Sequence, residues 1–292
     1  MWSQVLINSI TTGSTYALIA AGFSLIYSTT RFFHFAHGGV YVLGPYLTFL
    51  FTSIWGLDVR LSICLSIALS TLIGMLTEVV AYRPLRRNGA GPLILLLASL
   101  GMYVVIQNMI AMLLGDDTKV LRSRTIIEGI RVLNAYITPI QIINIITCVL
   151  LLFFCWGLVK YTKIGTAMRA VACDPGLALV SGIDSNRVVL FTFAVGSLLA
   201  AAAGILISFD IDMTPTMGLN ALMMGVVAVI IGGVGNVAGA ALGGLLLAFA
   251  QNFGVWKISS VWQDPIAFLI LLFFLLIRPR GFFGKKIRRV EI

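Results

Sequence analysis

Few side chains in this sequence are equipped for chemistry, and they fall in a handful of places. Arg31 to Gly44 reads RFFHFAHGGVYVLG, with His34 and His37 three apart and Gly38 and Gly39 directly after. Two imidazoles at that spacing share a helix face and would begin a metal site. No third ligand or acidic partner lies nearby, so no metal set is predicted. The paired glycines would loosen or break a helix where backbone carbonyls must then find water or protein. That makes His37, Gly38 and Gly39 candidates to line a polar passage through an apolar surround. Glu78 is the one carboxylate inside an apolar stretch. A charge at the bilayer centre costs about 2.5–3.5 kcal/mol, but Glu78 is near the basic end of its helix, where Arg83 or Arg86 can pair with it, which favours a structural ion pair over a proton carrier. Gln107 and Asn108, in the middle of another apolar stretch, must also hydrogen-bond to something, across a helix interface or along a passage.

Ile231 to Ala241 reads IGGVGNVAGAA. Gly233-x-Gly235-x-x-Ala238 superficially matches a dinucleotide-binding fingerprint, but no strand precedes it and no acidic residue follows at the required distance. A second broken helix is expected instead, with Gly232, Gly233 and Gly235 in the break and Asn236 capping the helix that follows. The longest polar loop, Lys160 to Arg187, carries YTKIGTAMRAVACDPGLALVSGIDSNR from its second residue. Asp174 before Pro175 is an N-cap with proline at the first helical position and Gly182 a left-handed stop, so Pro175 to Ser181 should form one short helix. Its apolar positions Leu177, Ala178, Val180 and Ile183, with Met168 and Val171 upstream, give the segment something to insert into a partner's groove. A helix lying on lipid headgroups would look similar.

The elements that must position these residues follow from composition. Hydrophobic residues make up 59% of 292 and charged residues 11%, with a mean hydropathy of +1.02, so the chain is a polytopic membrane protein. A hydrocarbon layer about 30 Å thick needs roughly 20 apolar residues of helix. Candidate spans are Val5 to Tyr27, Gly38 to Ile54, Leu61 to Val80, Pro92 to Leu114, Pro139 to Val159, Val188 to Phe209, Leu219 to Ile231, Val237 to Val255 and Pro265 to Ile277. The fold expected is all-α, with roughly eight or nine transmembrane helices and one or two broken or re-entrant segments. The net charge of +9 resides in the loops between spans, without interleaved aromatics, so no nucleic-acid partner is expected. If the Tyr82 to Gly91 loop, the Lys160 to Arg187 loop and the tail from Arg278 are cytoplasmic, they hold most of the 20 lysines and arginines on one side. Small residues at spacings of four, in Ser9, Gly13, Ala17 and Ala21, in Gly196, Ala200, Gly204 and Ser208, and in Gly235, Gly239 and Gly243, mark helix contact faces or faces that slide. The four cysteines form neither a disulfide pattern nor a metal pattern. The chain lacks a GxxxxGK[ST] loop, an HExxH helix, a serine elbow and an internal ladder of carboxylates, which leaves no catalytic constellation and no means of ion coupling. Uphill movement of a solute would draw its energy from another subunit; a channel or secondary transporter working alone is the competing reading.

With these stretches in place, the chain resembles the transmembrane permease subunits of bacterial branched-chain amino-acid ABC importers, the LivH/LivM type, and is closer to LivH. The resemblance runs in order through GSTYALIAAGFSLIY (Gly13 to Tyr27), FAHGGVYVLG (Phe35 to Gly44), AYRPLR (Ala81 to Arg86), ASLGMYVVIQN (Ala98 to Asn108), GTAMRAVACDPGLALVSGID (Gly165 to Asp184), VIIGGVGNVAGAALGG (Val229 to Gly244) and RPRGFFG (Arg278 to Gly284). It implies one permease domain over residues 1–292, with a coupling loop at 160–187 and a basic cytoplasmic tail at 278–292, in the bacterial inner membrane. It implies that Arg169, Ala170, Asp174, Pro175, Leu177, Ala178, Val180, Gly182 and Ile183 belong to a cytoplasmic coupling helix that docks on an ATPase. His37, Gly38, Gly39, Gln107, Asn108, Gly232, Gly233, Gly235 and Asn236 would line the translocation path. The implied partners are a second, LivM-like permease, two ATP-binding subunits that carry ATP and Mg, and a periplasmic solute-binding protein; this chain would hold no cofactor. Many relatives carry an acidic residue after the first glycine of FAHGG and Asn where His34 stands, so the solute is left open among branched-chain amino acids, other amino acids, urea and short amides.

Overall fold

Lipid gives a backbone no hydrogen-bonding partner, so apolar stretches must satisfy their own amides as helices. In the computed structural model, which describes residues 2–121, 129–132, 135–278 and 281–284, each of them does. The helices run in order as α1 (Trp2–Thr30), α2 (Ala36–Phe49), α3 (Val59–Thr77), α4 (Arg83–Arg87), α5 (Pro92–Leu114), α6 (Pro139–Tyr161), α7 (Lys163–Cys173), α8 (Pro175–Val180), α9 (Ser185–Ser208), α10 (Met217–Gly232), α11 (Val237–Val255) and α12 (Gln263–Ile277). A two-stranded antiparallel hairpin, β1 (Ile130–Val132) with β2 (Ala135–Ile137), precedes α6. Among the described residues seven helices are long and apolar enough to cross a membrane: Trp2–Thr30, Val59–Arg87, Pro92–Leu114, Pro139–Tyr161, Ser185–Ser208, Val237–Val255 and Ser260–Ile277. Two shorter apolar helices join them. α2 is extended by a π-helical turn at Leu50–Ile54, and α10 is 16 residues long, about 24 Å at 1.5 Å per residue. α10 and α11 form an antiparallel pair, so Leu219 to Val255 goes down one helix and back up the next.

Contacts between segments define the two ends of the bundle. At one end the Arg31 guanidinium reaches α7, Gly235 faces Ser28, and the chain after α12 pairs with the end of α10, through Phe282 N–H to Ile231 O (2.9 Å) and Phe283 N–H to Gly232 O (3.0 Å). At the other end Trp2 packs at a tilt against Trp256, Gln4 bonds the backbone of Tyr136, and Lys119 pairs with Met213. The basic loops at Arg83–Arg87 and Lys160–Arg187 sit at the first end. Of the basic tail, Arg280, Lys285, Lys286, Arg288 and Arg289 lie outside the described residues.

Burial separates the helices by role. α1 and α9 are buried along most of their length and form the centre, whereas α3, α5, α6 and α12 present large apolar side chains outward, among them Leu72, Met112, Phe153 and Leu276. Small residues create the central contacts. A Cβ on Gly22 would lie 2.9 Å from the Gly196 carbonyl oxygen, one on Gly244 2.6 Å from the Ala17 amide, and one on Gly204 would overlap the Tyr41 carbonyl. In lipid such close approach is what holds helices together, because apolar burial between them gains little.

Glu78 pairs with Arg86 rather than Arg83. A π-helical turn at Glu78–Tyr82 joins α3 to α4, and the Arg86 guanidinium bonds both carboxylate oxygens, with Nη1 to Oε2 at 2.9 Å. Glu78 is buried, so removing its charge leaves Arg86 without its counter-ion. Arg86 is partly exposed and glutamine keeps an acceptor for it, so Glu78→Gln is expected to cost about 1 kcal/mol, read as a lowered unfolding midpoint in mild detergent, and an unchanged midpoint would show the pair contributes nothing.

Candidate functional site

The polar segment between α6 and α9 folds as two short helices, and local hydrogen bonds dictate where each begins. Thr162 Oγ1 accepts from the Gly165 amide (3.0 Å) and starts α7. Asp174 Oδ1 accepts from the amides of Gly176 (2.8 Å) and Leu177 (3.0 Å) and starts α8 with Pro175 at its first position, as the sequence predicts. Gly182, with φ of +80°, turns the chain, and Asp184 caps α9 through Asn186 and Arg187. The single coupling helix from Arg169 to Ile183 that the resemblance implies is thus a pair broken at Asp174, because that residue ends one helix and caps the next.

This pair divides its apolar residues between two faces. Met168, Val171 and Ala178 are buried against Val188 at the start of α9, with Ala170 and Ile183 packed beside them. Leu177 (69% exposed), Leu179 (65%) and Val180 (90%) point away from the protein. The sequence pattern did not separate the two sets and missed Leu179. Arg169 turns back onto the end of α6, its Nη1 donating to the carbonyls of Val159 (2.6 Å) and Lys160 (3.1 Å). It thereby occupies two of the carbonyls that a helix C-terminus leaves without partners. α7 and α8 are consequently anchored to both α6 and α9 while offering an apolar tip outward.

A second connection was not legible in the sequence. Arg31, just past the end of α1, has φ of +60°, the one non-glycine residue with positive φ among those described. A left-handed conformation costs an L-residue roughly 1–2 kcal/mol. Its guanidinium donates to the carbonyl of Ala172, near the C-terminus of α7.

From Arg31 the chain re-enters the protein. Phe32 and His34 are fully buried among Tyr82 of the π-helical turn and Phe193 of α9, with His34 centred 4.9 Å from Phe193 and 5.3 Å from Tyr82. Backbone freed by the break finds its partner on α5, where Ser99 Oγ accepts from Phe35 N–H (3.0 Å) and shares its proton between Phe33 O (3.0 Å) and Leu96 O of its own helix (2.8 Å). Interrupted backbone at membrane depth needs such a partner. The signal available in the sequence was a serine inside the otherwise apolar start of α5. The break therefore lies at Arg31–Phe35, upstream of the glycine pair that was expected to make it.

The predicted path residues fall into three groups. His37, Gly38 and Gly39 occupy the first turns of α2 and are buried: a Cβ on Gly38 would lie 2.6 Å from the Gly218 carbonyl oxygen, one on Gly39 3.2 Å from Ile106, and His37 lies against Gly22. Gln107 is half-buried on α5, and neighbouring Asn108 faces outward with its Nδ2 donating to Val104 O of its own helix (2.8 Å). Gly232, Gly233, Gly235 and Asn236 form the turn between α10 and α11, with φ of +110° at Gly233 and +83° at Gly235, and Asn236 Oδ1 caps α11 through the Gly239 amide (3.2 Å). The helix ends here and Asn236 caps the next as expected, but the chain reverses, so the expected broken helix is instead a turn between two antiparallel helices, on the same end as Arg31 and α7. The first two groups adjoin, since Gly39 packs on Ile106, the neighbour of Gln107. Among the described residues no cluster of three or more His, Cys, Asp or Glu side chains forms that could hold a metal ion.

Residues 5–277 match the family model described as branched-chain amino acid transport system / permease component. The chain is 35% identical to the high-affinity branched-chain amino acid transport system permease protein BraD of Pseudomonas aeruginosa, over 97% of this chain and 95% of that one. It is 32% identical to the corresponding LivH protein of Escherichia coli over the same shares, and 26% identical to a probable LivH of Methanocaldococcus jannaschii over 98% and 95%. No solved structure matches it.

Proposed function

This chain belongs to the branched-chain amino acid permease family, and from that premise we propose that it is the membrane-spanning subunit of an ATP-driven importer of leucine, isoleucine and valine. It is a permease component rather than an enzyme. The observation that carries the mechanism is the tip of α8, where Leu177, Leu179 and Val180 stand exposed on a short, doubly capped helix. A soluble ATP-binding subunit with an apolar groove would cover that tip. The end of the bundle that holds it, which also carries Arg83, Arg86 and Arg87, then lies in the cytoplasm of the bacterial inner membrane, with the C-terminus on that side and the N-terminus opposite. Closure of two ATP-binding subunits on ATP would displace α7 and α8. The displacement would pass to α6 through Arg169 and to α9 through the packing of Met168, Val171 and Ala178 on Val188. α9 is central and meets its neighbours through glycine and alanine, so it can tilt without prising apart interlocked side chains.

The path itself would form between this subunit and a related permease. The outward face of α5 supports this, since Asn108 and half-buried Gln107 put amides on a surface otherwise fit for hydrocarbon. A separate periplasmic protein would select the solute, which allows the path to bind weakly and without charge. The test is reconstitution in vesicles. Uptake of leucine is expected only when both permeases, the ATP-binding subunits, the periplasmic binding protein and ATP are all present. Full-rate uptake by this chain alone, with no nucleotide hydrolysed, would overturn the assignment in favour of a stand-alone transporter.

A further inference from the structure

We propose that Arg31 is a transmission residue, carrying the movement of α7 directly to the break between α1 and α2; the inference rests on the docking of α8 proposed above. Glycine would adopt the backbone conformation of residue 31 without strain, whereas arginine holds it at φ +60°. An unfavourable local conformation persists only where the surroundings impose it. Here the side chain supplies the reason. The last carbonyls of a helix lack partners within the helix, and a cation near them also meets the negative end of the helix dipole. The Arg31 guanidinium takes one of those carbonyls, that of Ala172, and so joins α1 to α7 across 141 residues of sequence.

The residues just after Arg31 make the joint mechanically useful. Phe32 and His34 are locked among Tyr82 and Phe193, and Ser99 clamps the backbone on both sides of His34. α2 begins at Ala36, and His37 and Gly38 lie in its first turn. A pull on α7 therefore reaches the start of α2 through a short run of residues that have little freedom to absorb it. The links through α6 and α9 move whole helices; this one acts on the interruption itself.

The experiment uses the whole importer in proteoliposomes and measures leucine moved per ATP hydrolysed. Arg31→Gly keeps the left-handed backbone and removes the guanidinium. It is expected to assemble and hydrolyse ATP while moving about tenfold less leucine per ATP, the order expected for loss of one hydrogen bond to a charged group. Arg31→Lys should restore part of the ratio, a rescue that a merely structural residue would not show. If Arg31→Gly fails to assemble, Arg31→Gln decides the matter by the same ratio, since its amide carries no charge and stops short of where the guanidinium meets the Ala172 carbonyl. A wild-type ratio in Arg31→Gly, or in Arg31→Gln where that variant is the one measured, overturns the inference. Capture of the ATP-binding subunits by the Leu177→Asp, Val180→Asp permease, measured alongside, separates the two ideas. If that double variant loses them and the Arg31 ratio is unchanged, only the role of Arg31 fails; if it retains them in full, the docking of α8 fails and this inference with it.

Discussion

Replacing Leu177 and Val180 together with aspartate is expected to release the ATP-binding subunits and abolish uptake, while the permease remains folded in the membrane. Both side chains are largely exposed, at 69% and 90%, and neither belongs to the cluster that seats α7 and α8 on α9. Surface substitutions without such contacts usually change stability by less than about 0.5 kcal/mol. In a partner's groove each apolar side chain would contribute about 1.5–3 kcal/mol by burial, and each carboxylate would have to be desolvated instead. A combined loss of about 4 kcal/mol corresponds to roughly a thousandfold weaker binding. The measurement is co-purification in mild detergent, set beside the unfolding midpoint of the permease alone. Undiminished capture of the ATP-binding subunits would falsify the docking role and leave the lipid headgroups as what the tip meets. Ala178→Asp is a useful contrast, because Ala178 faces inward and that change should destabilise the permease itself.

The second large effect is expected at the turn between α10 and α11, where two glycines close together in sequence separate packing from passage. Gly232 faces Gly239 across the helix pair, and a Cβ on Gly232 would overlap the Gly239 carbonyl. Gly232 O also accepts the Phe283 amide at 3.0 Å, so the helix cannot shift without breaking the attachment of the chain after α12. Overpacking costs about 1–3 kcal/mol when side chains can yield and more when the obstacle is backbone. Gly232→Val is therefore expected to lower the unfolding midpoint by about 10 °C, the shift that several kcal/mol produce in a chain of this size, or to prevent accumulation of the folded permease. Gly235 is different. Its nearest obstacle is Ser28 Cβ at 3.8 Å, so the penalty for Gly235→Ala comes from φ +83° alone, about 1 kcal/mol. That variant should fold and assemble, and a larger residue at 235 should then report on passage through uptake alone. Equal losses of stability at the two positions would remove the distinction between them.

The same contrast explains what could be read at Gly38. The glycine pair pointed to a break, but glycine serves two purposes that look alike in a sequence: it allows unusual backbone angles, and it lets two backbones touch. At Gly38 the second applies, against Gly218, a residue 180 positions away. The break was produced instead by Arg31, a residue type with no such reputation.

What the sequence determined by itself was everything governed by neighbours along the chain and by the solvent. Runs of apolar residues had to become helices because lipid leaves no other way to satisfy a backbone. Asp174 before Pro175, Asn236 before α11 and Gly182 after α8 set helix ends through bonds between near neighbours in the chain. The basic loops gathered at one end because the spans between them have the right parity. Tertiary structure alone decided which of several candidates a side chain would meet: Arg86 rather than Arg83 for Glu78, Ser99 for the backbone around His34, Ala172 for Arg31, and which face of α8 stays exposed. Those choices depend on how helices distant in sequence come together in space, and in lipid that is settled by the close fit of small residues, a matter of shape that hydropathy does not encode.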